Sequence, residues 1–324
     1  MLRSLLPAVL ALTLAAGSAM AEARIRVSAS IVPIHGLVAA VMEGVAEPDL
    51  ILPPGASPHG YALRPSGALA LSRADVIFRV GPSLEAFLNR PLANISGKAR
   101  IVDLIETPGV LLRPVRDNEA FEPHDHDHGG REGHDGHGDH EKHAAHDDHE
   151  RPTDQHVWLD PRNAIAIVRH VADVLSEADP TSADTYRTNA TRTIRRLNEL
   201  EDRTANRLAS VAARPFIVFH DAYQYFENRF GLTAAGSIAI NPEVAPGARQ
   251  ISQIRSRIAE QNIHCVLAEP QFNSDIVEAL ASDDHVHVGV VDPVGTTARS
   301  ASDGYFGVID RMVSELTTCL GPAG

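Results

Sequence analysis

Over residues 25–104, short apolar runs alternate with segments whose apolar residues recur at helical spacing. Residues 25–31 are rich in β-branched side chains and predict a strand, and 36–42 predict a short helix. Strands are expected again at 49–52, 74–80 and 99–104, and helices at 65–72 and 84–89. The second strand runs into Pro53-Pro54-Gly55, a strong turn signal. A similar series follows residue 214. Strands are expected at 216–219, 237–240, 265–268 and 286–291, and helices at 222–230, 248–261, 275–281 and 305–318. Between the two series, 164–175 places Ile165, Val168, Val171 and Leu175 on one helical face. Residues 182–212 then predict one long polar helix with a single buried stripe of Ala190, Ile194, Leu197, Thr204, Leu208 and Val211. At 1.5 Å per residue it would run about 45 Å, more than one small domain needs. The pattern therefore predicts an α/β protein of two lobes, each a mainly parallel sheet flanked by helices, with the long helix as a spine between them.

Composition interrupts this plan once. Residues 117–152 are almost free of apolar side chains and hold nine of the 17 histidines. Such a segment cannot bury enough surface to fold alone and is expected to be a loosely ordered insert. The expected divisions are a signal peptide at 1–21, an N-terminal lobe at 22–180 containing that insert, a linking helix at 181–213 and a C-terminal lobe at 214–324. With 324 residues, 44% of them hydrophobic, each lobe is expected to have its own core.

The first residues read as an export signal: Arg3, then an apolar run over 5–16, then Ala19-Met20-Ala21 as a cleavage site. The rival is a membrane anchor, for which a run of about 12 residues is short against the roughly 20 needed. Export implies an oxidising compartment, in which Cys265 and Cys319 are a candidate disulfide, with two buried thiols as the alternative. Closing that loop would contribute about 4 kcal/mol in the chain-entropy model. A formal net charge of −13 argues against nucleic acid and anionic membranes as partners and is compatible with cationic ligands.

Three histidines outside the insert stand at the ends of expected elements. His59 lies in the turn after the second strand, His156 precedes a helix, and His220 follows the strand at 216–219. Ligands of open α/β sheets bind beyond the carboxyl ends of strands, where His59 and His220 would face a cleft between lobes. Neutral imidazole suits tetrahedral zinc, and Asp292, at the end of a later strand, or water could supply a fourth ligand. Taken singly, each histidine is more often an ordinary hydrogen-bonded residue, as are His35, His170, His264, His285 and His287. The insert alternates imidazoles with carboxylates at His124, His126, His128, His134, His137, His140, His143, His146 and His149. Such a tract binds transition metals with little selectivity, or is a solvated linker.

The motifs Leu52-Pro53-Pro54-Gly55-Ala56-Ser57 with His59, Leu63-Arg64-Pro65-Ser66, Val80-Gly81-Pro82, 154–161, Phe219-His220-Asp221-Ala222-Tyr223, Ala268-Glu269-Pro270-Gln271-Phe272 and Asp292-Pro293-Val294-Gly295 resemble periplasmic zinc-binding proteins of the ZnuA type. These belong to the metal-binding proteins that serve ABC transporters, and the resemblance covers nearly the whole mature chain. It implies two lobes on a rigid helix with Zn²⁺ in the cleft, held by His59, His156 and His220. It implies that Cys265 and Cys319 are bonded, that the protein is periplasmic and not an enzyme, and that its partners are a membrane permease and its ATPase. Other periplasmic zinc-binding proteins are a further partner class. Some zinc members carry a glutamate where this chain has Pro58, which leaves Asp292 or water for the fourth position. The rivals are a manganese or iron carrier of the same cluster, a zinc hydrolase and a periplasmic zinc buffer. No H-E-x-x-H motif is present for a hydrolase.

Overall fold

The protein is described from a computed structural model that covers residues 25–94, 99–116, 120–121, 152–239, 242–281, 285–297 and 304–321. The expected signal at 1–21 and the histidine tract from His124 to His149 lie outside the described residues.

Four short strands, β1 (Val27–Ala29), β2 (Asp49–Leu50), β3 (Val76–Arg79) and β4 (Arg100–Asp103), form one sheet in the order β2-β1-β3-β4. Helices α1 (Val32–Met42), α2 (Pro65–Arg73) and α3 (Ala86–Asn94) supply the crossovers. Past residue 152 come α4 (Pro161–Ala178) and α5 (Ala183–Leu208). Strands β5 (Phe216–His220), β6 (Ala234–Ala239), β7 (Cys265–Ala268) and β8 (His287–Val290) then form a second sheet, ordered β6-β5-β7-β8. Between them run α6 (Gln224–Phe230), α7 (Ala248–Glu260) and α8 (Asp275–Leu280), and α9 (Gly304–Cys319) closes the chain. Every strand pair is parallel, and the two sheets share one topology. The expected α/β class and two-lobe plan are met.

Local chemistry explains the boundaries. Asp160 caps α4 by accepting from the Arg162 N–H at 2.8 Å, and Pro161 occupies the first turn, where its missing N–H costs nothing. The helix therefore begins three residues before the expected 164. Strand β6 also begins earlier than the expected 237, because Ala234-Ala235-Gly236 has poor intrinsic strand propensity but pairs with β5. Helix α5 ends at Leu208, four residues short of expectation, and spans about 39 Å. Its stripe is buried at Ala190, Leu197, Thr204 and Leu208, while Ile194 is half-buried.

Strand alternation separates two faces of each sheet. Val76 and Phe78, like Phe216 and Val218, point inward, and Ile77, Ile217 and Phe219 point outward. The outward residues build a small separate core in each lobe. The inward faces do not. They join with α1, α4, α5 and α9 into one continuous core that runs from Val27 through Trp158 and Leu197 to Val308. This differs from the expectation of one core per lobe. The reason is that α1 packs directly on α9 as well as on α5. At the crossing Gly36 meets Gly304, where an added Cβ on Gly36 would lie 2.7 Å from the Gly304 Cα. The Trp158 indole N–H also donates across to the Pro293 carbonyl at 2.9 Å. Cys265 and Cys319 are joined by a disulfide that fastens β7 to the end of α9.

Candidate metal centre

Both sheets present their carboxyl-terminal strand ends to the cleft between the lobes. His59 stands in the loop after β2, where its N–H donates to the Ser57 hydroxyl at 3.2 Å. His220 is the last residue of β5. His156 comes from neither sheet and precedes a single 3-10 turn, Val157–Leu159, that leads into α4. Three distant stretches of chain thus deliver three rings to one point. The ring centroids are 5.6 Å (His59–His156), 5.4 Å (His59–His220) and 5.3 Å (His156–His220) apart. One ligand nitrogen of each lies within 4.8 Å of the other two, the only such group of three or more His, Cys, Asp or Glu among the described residues.

Two rings are fixed from behind. The Nδ1–H of His156 donates to Asp154 at 2.8 Å, and the Nδ1–H of His220 donates to Glu269 at 2.7 Å. Each carboxylate sets the tautomer of its ring and leaves Nε2 as a lone-pair donor. The two Nε2 atoms lie 3.4 Å apart. Glu269 is fully buried at the carboxyl end of β7, so it also stands at the cleft side of its sheet. The sequence reading gave Asp154 and Glu269 no role. The available signal was their place: a carboxylate immediately after an apolar strand, and another two residues before a candidate ligand.

Burial and the two neighbouring rings lower the His59 pKa to about 2, so it is neutral and ready to coordinate. Burial opposes the cation of His220 as well, but the adjacent Glu269 outweighs it and raises the pKa above the ordinary histidine value. Aromatic rings complete the wall. Phe272 stands edge-on to His220 with centroids 5.8 Å apart, and Trp158 lies 5.3 Å from His156. A cavity of about 350 Å³ opens onto the three imidazoles and is also lined by Arg116, Phe121 and Asp221.

Asp292 does not join this group. It follows β8 at the expected end of the sheet, but its carboxylate turns back on its own loop. It accepts from the Thr296 N–H at 3.0 Å, the Thr297 N–H at 2.8 Å and the Thr297 hydroxyl at 2.8 Å. The remaining described histidines stand elsewhere. His35 bonds the Pro48 carbonyl at 2.8 Å, and His170 sits on the outside of α4. His264, His285 and His287 line a separate cavity of about 660 Å³ at the amino-terminal end of the second sheet, beside Cys265.

A family model described as the periplasmic component A of a zinc-uptake complex matches residues 27–319. The high-affinity zinc uptake system protein ZnuA of Brucella abortus is 41% identical over 314 residues, covering 94% of each chain. Its counterpart in Yersinia pestis is 36% identical over 299 residues, covering 90% of each. Among solved structures, the periplasmic zinc-binding protein TroA of Treponema pallidum matches with a TM-score of 0.74. That match has 19% identity and covers 92% of this chain and 99% of the other.

Proposed function

The chain belongs to the family of periplasmic zinc-uptake component A proteins, and on that premise we propose that it captures Zn²⁺ as cargo and delivers it to an ABC importer. The observation that carries this reading is the convergence of His59, His156 and His220, two of them backed by carboxylates. Three imidazoles suit zinc, and Asp154 and Glu269 offset its charge without touching it. Water is the fourth ligand, since Asp292 is committed to its loop and Pro58 has no carboxylate to offer. With histidine at all three positions the donor set is softer than a carboxylate-containing one, which favours zinc over manganese.

In this reading residues 1–21 are a cleaved export signal and the mature chain works in the periplasm. The lobes are 22–180 and 214–324, joined by 181–213. The insert's nine histidines gather zinc at lower affinity. The role is carriage rather than catalysis, and the recipients are a membrane permease and its cytoplasmic ATPase. Chelator-competition titration of Zn²⁺ tests the assignment, using the protein and a chain lacking residues 117–152. Changing His59, His156 and His220 together to Ala is expected to abolish tight binding in both. Undiminished tight binding in the shortened triple variant would overturn it.

A further inference from the structure

Both roots of the 117–152 insert run along the metal centre. The outgoing root, residues 113–116, and the returning root, 152–154, pair as an antiparallel bridge at Pro114 and Thr153. The Val115 N–H donates to the Pro152 carbonyl at 2.8 Å, and the Asp154 N–H to the Arg113 carbonyl at 2.9 Å. The returning root thus ends on Asp154, the carboxylate that orients His156. The outgoing root ends on Arg116, which lines the same cavity as the three histidines.

Arg116 reaches across to the second lobe. Its Nε donates to Asp221 Oδ1 at 2.9 Å and Oδ2 at 3.0 Å, and its terminal nitrogens donate to Glu227 at 2.8 and 2.9 Å. One terminal nitrogen also bonds Asp221. Asp221 is the residue after His220, and Glu227 lies on α6, where it also accepts from the Ala234 N–H at the start of β6. One guanidinium therefore ties the end of β5 and the start of β6 to the strap from the other lobe. Its flat face rests on Phe121, 3.7 Å from the ring centre, and Phe121 is buried in the shared core. The Ala120 carbonyl, next to Phe121, accepts from the Ser237 N–H of β6 at 3.1 Å.

This placement makes demands that a lysine would not meet. Two carboxylates on different elements are held at once, which needs a planar fork rather than a point charge. Zinc ligands must be placed within a few tenths of an ångström of about 2.0–2.1 Å, so the backbone that carries His220 has little latitude. We propose that Arg116 is a positioning residue of the metal centre. By clamping Asp221 and Glu227 to the root of the insert, it holds His220 in register with His156 and sets how slowly bound metal leaves. The proposal rests on these histidines being the ligands.

The test uses the full chain with Arg116→Ala, Arg116→Lys and, as a control, Arg187→Ala, whose exposed side chain pairs with Asp184 on α5. Zn²⁺ release into excess chelator is followed by stopped flow. The phase to read is the slow one that disappears in His220→Ala. Arg116→Ala is expected to speed it about tenfold or more, as loss of an outer-shell support does. Arg116→Lys keeps the charge without the fork and is expected to lie between Arg116→Ala and the unaltered protein, with Arg187→Ala unchanged. The visible spectrum of the Co²⁺-loaded protein reports ligand geometry independently and is expected to lose its tetrahedral intensity in Arg116→Ala. Thermal unfolding of the metal-free forms separates this from general destabilisation. A cooperatively folded Arg116→Ala with unaltered slow release and cobalt spectrum would overturn the proposal. Should Arg116→Ala not fold, an unaltered release rate in Arg116→Lys overturns it equally. A slow phase that survives the triple histidine variant would instead defeat the ligand assignment.

Discussion

Asp154 and Glu269 illustrate how much of this site lies behind its three histidines. A neutral imidazole can carry its proton on either nitrogen, and a carboxylate against Nδ1 selects the form with Nε2 free. Glu269→Gln keeps the shape of that contact but removes the charge. It is expected to weaken Zn²⁺ binding about 10–100-fold in chelator competition, while near-ultraviolet circular dichroism stays unchanged. Glu85 is a different kind of buried acid. Its two oxygens accept the N–H groups of Val80 and Gly81 at 3.0 and 2.9 Å, bracing the loop after β3. Burial nevertheless raises its pKa from 4.5 to about 7. The folded state therefore holds this proton more tightly than the unfolded chain does. The stabilisation is complete below about pH 4.5 and is lost as pH rises through about 7. Urea unfolding of the metal-free protein should show this fall, on the order of 3 kcal/mol, and Glu85→Gln should flatten it. An equal slope in both proteins would show that Glu85 is not its source.

Helices α1, α5 and α9 decide how the lobes meet. The stripe on α5 was legible because 3.6-residue periodicity is a local property. The α1–α9 crossing was not, since it depends on two glycines 268 positions apart whose only signal is the absence of a side chain. A methyl on Gly36 would come within 2.6 Å of the Tyr305 nitrogen and 2.7 Å of the Gly304 Cα, both backbone atoms that cannot rotate aside. Gly36→Ala is expected to cost about 1–3 kcal/mol and to lower the melting temperature by several degrees. Because the wedge acts between the lobes, zinc affinity should fall as well. Retention of both values would mean that the crossing yields. The misplaced start of β6 has the opposite origin. Strand pairing with β5 overrides the weak propensity of Ala234 to Gly236, and no local pattern records it.

Over the described residues, the molecule has two sheets but one main core. Opening the cleft by a rigid rotation of the lobes would pull apart packing that runs without a break from Val27 to Val308. Metal-free and zinc-loaded protein should therefore give superimposable small-angle X-ray scattering curves, with loading felt in the loops around the site. A clear fall in radius of gyration on adding Zn²⁺ would refute this. The α/β class, the order of nearly every element, the stripe on α5 and the placing of His59 and His220 at strand ends are all written locally in the chain. They depend on periodicity, turn residues and caps acting over a few neighbours. The joining of His59, His156 and His220 could be inferred beforehand by resemblance, not by spacing, because 97 and 64 residues separate them in turn. Folding settled their distances, gave two of them a carboxylate partner, turned Asp292 onto its own loop and merged the cores. Each of these depends on which distant segments pack together, and burial and hydrogen-bond satisfaction over the whole chain determine that packing.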